Sequence, residues 1–141
     1  MLVNIFFEET EILDFDPEFF ALWYQEIVGA HDKELGDVCL VFCSDEYLLN
    51  VNKKHLNHDY YTDIVTFNYN DGRVVSGDLF ISVDRVKDNA ITLDVAFKEE
   101  LLRVCAHGLL HLIGYNDKSE SEAKEMRVQE NKALSFVSRE T

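Results

Sequence analysis

The chain has 141 residues, 27 acidic against 13 basic, a formal net charge of −14 and 47% hydrophobic residues. That is enough apolar chain for one domain, residues 1–141, with a sizeable core, and it contains no run of about twenty apolar residues to span a bilayer. The excess of acid argues against a general nucleic-acid binder, whose affinity comes largely from phosphate neutralisation. It leaves room for a narrow RNA site framed by Lys53, Lys54, Arg73, Arg85 and Arg103, or for a basic partner protein.

The first residues, MLVNIFFEETEILDF, lack the basic stretch and small-residue cleavage site of a secretory leader, so a cytoplasmic protein with no membrane association is expected. Leu2 to Phe7 reads as a strand. Asp16 followed by Pro17 is a helix N-cap with proline at the first helical position. Phe19, Phe20, Leu22, Trp23 and Ile27 then supply a buried stripe. Val38 to Cys43 is nearly all apolar and reads as a central strand. Ser44 caps a second helix, with Tyr47, Leu48, Val51 and Leu56 on one side.

A polar, aromatic loop from His55 to Thr62 leads into a strand from Ile64 to Tyr69. Asn70-Asp71-Gly72 is a hairpin turn, and Gly77 to Ser82 returns to the sheet. Asp84 is placed to cap a helix running through Ile91. A long helix starts near Val95, with Phe97, Leu101, Val104 and Leu112 on its apolar side. Ser119 or Ser121 opens a last helix that packs through Ala123, Met126, Leu134 and Phe136. This order predicts an α+β fold: a small mixed β-sheet packed with helices. Cys39, Cys43 and Cys105 have no paired spacing and are expected to be buried, reduced thiols.

The most informative segment lies at the end of the long helix: His107-Gly-Leu-Leu-His111-Leu-Ile-Gly114-Tyr-Asn-Asp117. Residues four apart share a helical face, so both imidazoles project together. Gly114 permits the positive φ that ends a helix, and the chain can turn Asp117 back to the same point. Two imidazoles and one carboxylate make a three-ligand zinc site whose fourth position is left for water, the arrangement of a catalytic rather than a structural ion. The zinc would lie on the long helix and the turn after it. Cys105, two residues before His107, points to a different face and is not a ligand. A zinc peptidase carries glutamate directly after the first histidine, and here that residue is Gly108.

Three stretches in order carry a family resemblance. They are Asn52 with Thr62-Asp63-Ile64-Val65-Thr66-Phe67, then Gly77-Asp78-Leu79-Phe80-Ile81-Ser82, then the 107–117 motif followed by Glu125-Met126. On these residues the chain resembles the YbeY family of bacterial zinc-dependent endoribonucleases. The resemblance implies a single-strand-specific endoribonuclease acting in 16S rRNA 3′-end maturation and ribosome quality control. It further implies one Zn2+ per chain, held by His107, His111 and Asp117, with single-stranded rRNA as substrate and the ribosome or ribosomal assembly proteins as partners.

Two positions depart from the family pattern. The family motif usually ends in histidine, where this chain has Asp117, so the third ligand would be a carboxylate. The arginine usually found four residues after the helix-end asparagine is here Leu56, and His58, Lys53 and Lys54 are the candidates to hold a phosphate in its place. His55 and His58 are the alternatives to Asp117 as third ligand. Tyr60, Tyr61 and Tyr115 could stack on bases or simply pack. The catalytic general base is unassigned. Attack by activated water would leave a 5′-phosphate and a 3′-hydroxyl, whereas attack by the RNA 2′-hydroxyl would leave a cyclic phosphate. The alternatives to a nuclease are a ribosome-assembly binding factor with a weakly active or vestigial zinc site and, against the evidence of Gly108, a metallopeptidase.

Overall fold

The structure, a computed structural model, describes residues 2–137. Strand β1 (Val3–Glu8) connects through helix α1 (Pro17–Gly29) to strand β2 (Glu34–Cys43). Helix α2 (Asp45–Leu56) precedes a hairpin of β3 (Ile64–Asn68) and β4 (Val74–Ser82). Helices α3 (Val83–Leu93), α4 (Phe97–Ile113) and α5 (Glu120–Ser135) follow. The sheet order is β1-β2-β4-β3, with β1 and β4 parallel to β2 and β3 antiparallel at the edge. This is the α+β arrangement expected from the order of elements.

Side chains alternate across the sheet with the period of two that extended chain imposes. Val38, Leu40 and Phe42 of β2 align with Val3, Ile5 and Phe7 of β1 and with Gly77, Leu79 and Ile81 of β4. That row meets α1 and α4 in the main core, which includes Phe20, Trp23, Tyr24, Leu101 and Leu109. The opposite face is covered in part by α2, through a smaller cluster of Cys43, Leu48 and Val65 with Phe67 and Phe80 packed against it. Buried polar groups on α1 find partners: the Trp23 indole donates to the Ala133 carbonyl at 2.8 Å and the Tyr24 hydroxyl to the Cys105 carbonyl at 2.6 Å. These bonds tie α1 to both α5 and α4.

Local signals set most of the ends. Asp16 accepts from the Glu18 amide with Pro17 behind it, and the Ser44 hydroxyl accepts from the Tyr47 amide. Ser119, rather than Ser121, closes a reciprocal capping box with Glu122. Gly72 takes a φ of 59° in the hairpin turn, where Asp71 and Val74 exchange both backbone bonds. The α3 cap is Ser82 rather than Asp84: its hydroxyl accepts from the Arg85 amide, while the Asp84 carboxylate accepts from the Asp45 amide. Strand β2 begins at Glu34, because a polar stretch pairs with Val74 and Val75 through a register shift that no apolar pattern marks. Leu22, Leu56 and Ala123 face solvent rather than the core. Cys43 and Cys105 are buried, but Cys39 is only half-buried: it lies beside Asp78 on the sheet face away from α1 and α4.

Two close approaches position α4. Gly108 lies flat on the sheet, where a Cβ would meet Ile64 Cδ1 at 2.6 Å and Leu79 Cδ1 at 3.1 Å. The Asn70 side chain donates to the Leu112 carbonyl at 2.7 Å and accepts from the Ser76 amide, locking the hairpin turn to the end of the helix.

Candidate metal centre

Gly108 packs against the sheet, while its neighbour His107 reaches Glu130 of α5 and both imidazoles meet Asp117 of the loop before α5. The helix ends at Gly114, whose φ of 129° turns the chain back. Asp117 then returns to the two rings. His107 Nε2 lies 2.9 Å from His111 Nε2 and 3.3 Å from Asp117 Oδ2, and His111 Nε2 lies 3.7 Å from that oxygen. A tetrahedral ion with bonds of about 2.0–2.1 Å sets its ligand atoms about 3.3 Å apart, the middle of this range. Among the described residues this is the group of three His, Cys, Asp or Glu side chains that could hold a metal.

The other ring nitrogens are already occupied. His107 Nδ1 donates to Glu130 Oε2 at 2.7 Å, and His111 Nδ1 donates to the Tyr115 carbonyl at 3.0 Å. Tautomers follow from hydrogen-bond partners, so both Nε2 atoms turn lone pairs toward Asp117 and toward each other. A third acceptor beside two facing lone pairs repels them unless a cation lies among the three. The donor set and its facing lone pairs therefore fit a divalent metal.

The charges agree with this placement. Burial would lower the His107 pKa, but the Glu130 hydrogen bond and the charges of Glu130, Asp117 and Asp63 hold it above the usual value. The His111 pKa is lowered, by burial and then by its neighbour His107. Burial would raise the Glu130 carboxyl, yet bonds from His107 and Arg103 keep it below the usual range. Glu130 is thus a buried, ionised carboxylate, with Arg103 donating to its Oε1 at 3.0 Å. Buried Glu100 moves the other way, raised by desolvation and then by Asp63. These groups share a cavity of about 190 Å³ lined by Asp63, Glu100, Arg103, His107, Arg127 and Glu130.

Other candidates from the sequence lie elsewhere. His55 packs edge-on to Phe67, and His58 stacks on Tyr60 and bonds its hydroxyl, so neither joins the metal-ligand group. Lys53 pairs with Asp59, Arg73 with Asp32 and Arg85 with Asp45. Tyr61 bonds Glu46 and lies under Arg85, and Tyr115 bonds His31. Tyr60 is exposed, with its ring stacked on His58 and its hydroxyl bonded to the same imidazole. Cys105 is buried, its thiol raised by desolvation, and lies outside the group.

Sequence reasoning missed Glu130 and Arg127. A signal for Glu130 was present: Met126, Gln129, Glu130 and Ala133 follow helical core spacing and are all buried. A carboxylate on such a stripe requires a partner.

Known proteins are similar to this chain along most of its length. The family model described as Endoribonuclease YbeY matches residues 6–138. The chain is 41% identical to an Endoribonuclease YbeY of Parabacteroides distasonis over 140 residues, covering 99% of each chain. Against the enzyme of the same name from Flavobacterium johnsoniae it is 42% identical over 135 residues, 96% of each. Against that of Bacteroides thetaiotaomicron it is 49% identical over 114 residues, 81% of this chain and 83% of the relative. A solution structure of a Thermotoga maritima protein superposes with a TM-score of 0.63 at 26% identity, covering 96% of this chain and 88% of the other. With a metal-competent group at the end of α4 and relatives of one name along nearly its whole length, the chain belongs to the YbeY family of endoribonucleases, which are hydrolytic nucleases.

Proposed function

We propose that this chain is a zinc-dependent endoribonuclease that cuts single-stranded RNA at the His107–His111–Asp117 centre and acts in 16S rRNA 3′-end maturation and ribosome quality control. The observation that carries this reading is the convergence of two oriented Nε2 atoms and one carboxylate oxygen in a chain of this family. His107, His111 and Asp117 would hold the ion. A zinc ion bound there supplies Lewis-acid activation of water and of the phosphoryl group. Glu130 and the Tyr115 carbonyl keep each ring in the ligating tautomer and orientation. Asp117, an anionic ligand beside two neutral imidazoles, reduces the positive charge of the centre and makes it more tolerant of harder cations. A peptidase glutamate at position 108 would press a side chain and its charge against Ile64 and Leu79, which a Cβ there already crowds.

Metal analysis combined with cleavage of a single-stranded RNA tests the proposal, in wild type, His111→Ala and Asp117→Ala, with and without chelator. The expected result is about one zinc per wild-type chain, with both zinc and cleavage lost in each variant. Full zinc occupancy in Asp117→Ala would mean the third ligand is wrong. Zinc without cleavage above the His111→Ala background would favour an assembly factor that binds the ribosome or its assembly proteins. The chain's negative charge and its paired cations suit a basic protein partner of that kind.

A further inference from the structure

The basic residues that the sequence offers for an RNA strand differ in how they are held. Arg85 donates to Asp45 at 2.8 Å and lies over the Tyr61 ring, and Lys53 pairs with Asp59 at 3.4 Å. The Arg103 side chain is 21% exposed and donates to Glu130 at 3.0 Å and Asn131 at 3.1 Å. Arg127 is different. Its side chain is 60% exposed, it lines the same cavity as His107, and its ion-pair contact to Glu130 Oε1 spans 3.7 Å. That oxygen already accepts from Arg103, and Oε2 accepts from His107. A separation of 3.7 Å is too long for a hydrogen bond. The Arg127 guanidinium therefore stands at the mouth of the cavity with its donor fork uncommitted to Glu130.

We infer that Arg127 binds a phosphodiester of the RNA strand beside the metal centre. This rests on the endoribonuclease reading. A planar guanidinium fork matches two phosphate oxygens, and one this exposed needs little desolvation to reach them. The nearer candidates in sequence lie elsewhere: Lys53 stands 3.4 Å from Asp59, His58 is bound to Tyr60, and neither these nor Lys54 line this cavity. Asp63, Glu100 and Glu130 line the same cavity and oppose an incoming anion, so one exposed cation there carries a large share of the phosphate contact.

Arg127→Ala and Arg127→Lys test this against a fluorescein-labelled single-stranded 2′-O-methyl RNA, which lacks the free 2′-hydroxyl. Affinity for metal-free protein is measured across salt concentrations, alongside zinc affinity and the cleavage kinetics of unmodified RNA. In Arg127→Ala we expect about tenfold weaker RNA affinity and a matching rise in KM, with kcat within about twofold. The slope of log affinity against log salt should become shallower by about 0.7, one single-strand phosphate contact. Arg127→Lys should restore that slope, and zinc affinity should not change in either variant. An unchanged slope and affinity in Arg127→Ala would overturn the assignment. So would a loss of zinc affinity in step with RNA affinity, because Arg127 would then act through Glu130 and His107. A wild type that neither binds nor cuts RNA would overturn the endoribonuclease reading and this one together, whereas normal wild-type cleavage with an unaltered variant slope overturns this one alone.

Discussion

His107 and His111 bring two Nε2 atoms to 2.9 Å, closer than two unprotonated acceptors tolerate. In metal-free protein Glu130 and Asp117 hold a proton on His107 by raising its pKa against burial, while burial and then the His107 charge lower that of His111. Zinc must displace that proton. Affinity should therefore be full above the raised His107 value and fall as pH drops through it, with proton release on binding below that point. Calorimetric titrations in buffers of different ionisation enthalpy measure the released protons, and pH-independent affinity would contradict a raised His107. Glu130 is the other residue whose removal is informative. Glu130→Ala should weaken zinc binding about 10–100-fold, and Glu130→Gln should weaken it less, because an amide oxygen can still accept from Nδ1. Nitrogen-15 NMR of the metal-free variants should show His107 shifting toward the Nε2–H tautomer. The histidine spacing was legible from sequence because helical geometry alone places residues four apart on one face. The Glu130 contact was not, because it joins residues 23 apart on two helices.

Helix α4 carries Gly108 on a flank adjoining its histidine face, packed on Ile64 and Leu79. Gly108→Glu would force both a side chain and a charge into that contact. We expect a loss of more than about 3 kcal/mol, read from the urea midpoint, and no peptidase activity. A stable Gly108→Glu protein would show that the sheet does not constrain this position. Helix starts were readable where a polar side chain caps them, as at Asp16, Ser44 and Ser119. They were less so at α3 and α4. Asp84 looks like a cap, yet the Ser82 hydroxyl takes that place, and α4 begins at Ala96 without a side-chain cap. Helix α4 forms there because tertiary packing of Leu101, Cys105 and Leu109 outweighs a weak start.

For the molecule as a whole, burial of thiols makes alkaline stability a measurable quantity. Desolvation, followed by the charges of Asp45 and Asp84, pushes the Cys43 thiol up to about 12 from an ordinary 9.0, and burial raises Cys105 as well. Folded chains keep these protons at a pH where unfolded chains lose them. This contribution is whole below about pH 9 and declines as pH rises toward 12. Melting temperature should fall across that interval, and Cys43→Ala should make the fall shallower; equal slopes would place the alkaline sensitivity elsewhere.

The residues alone carried the α+β class, the starts of the helices capped by Asp16 and Ser44, and the convergence of His107, His111 and Asp117, because each depends on short-range periodicity or on a turn within ten residues. Tertiary structure decided what surrounds that group. It brought Glu130 to His107, held Lys53, Arg73 and Arg85 in ion pairs, pinned Tyr61 and Tyr115, and left Arg127 at the cavity mouth. Apart from Lys53 with Asp59, these arrangements depend on which elements become neighbours when the sheet and α5 close around α4. Local spacing does not encode that information.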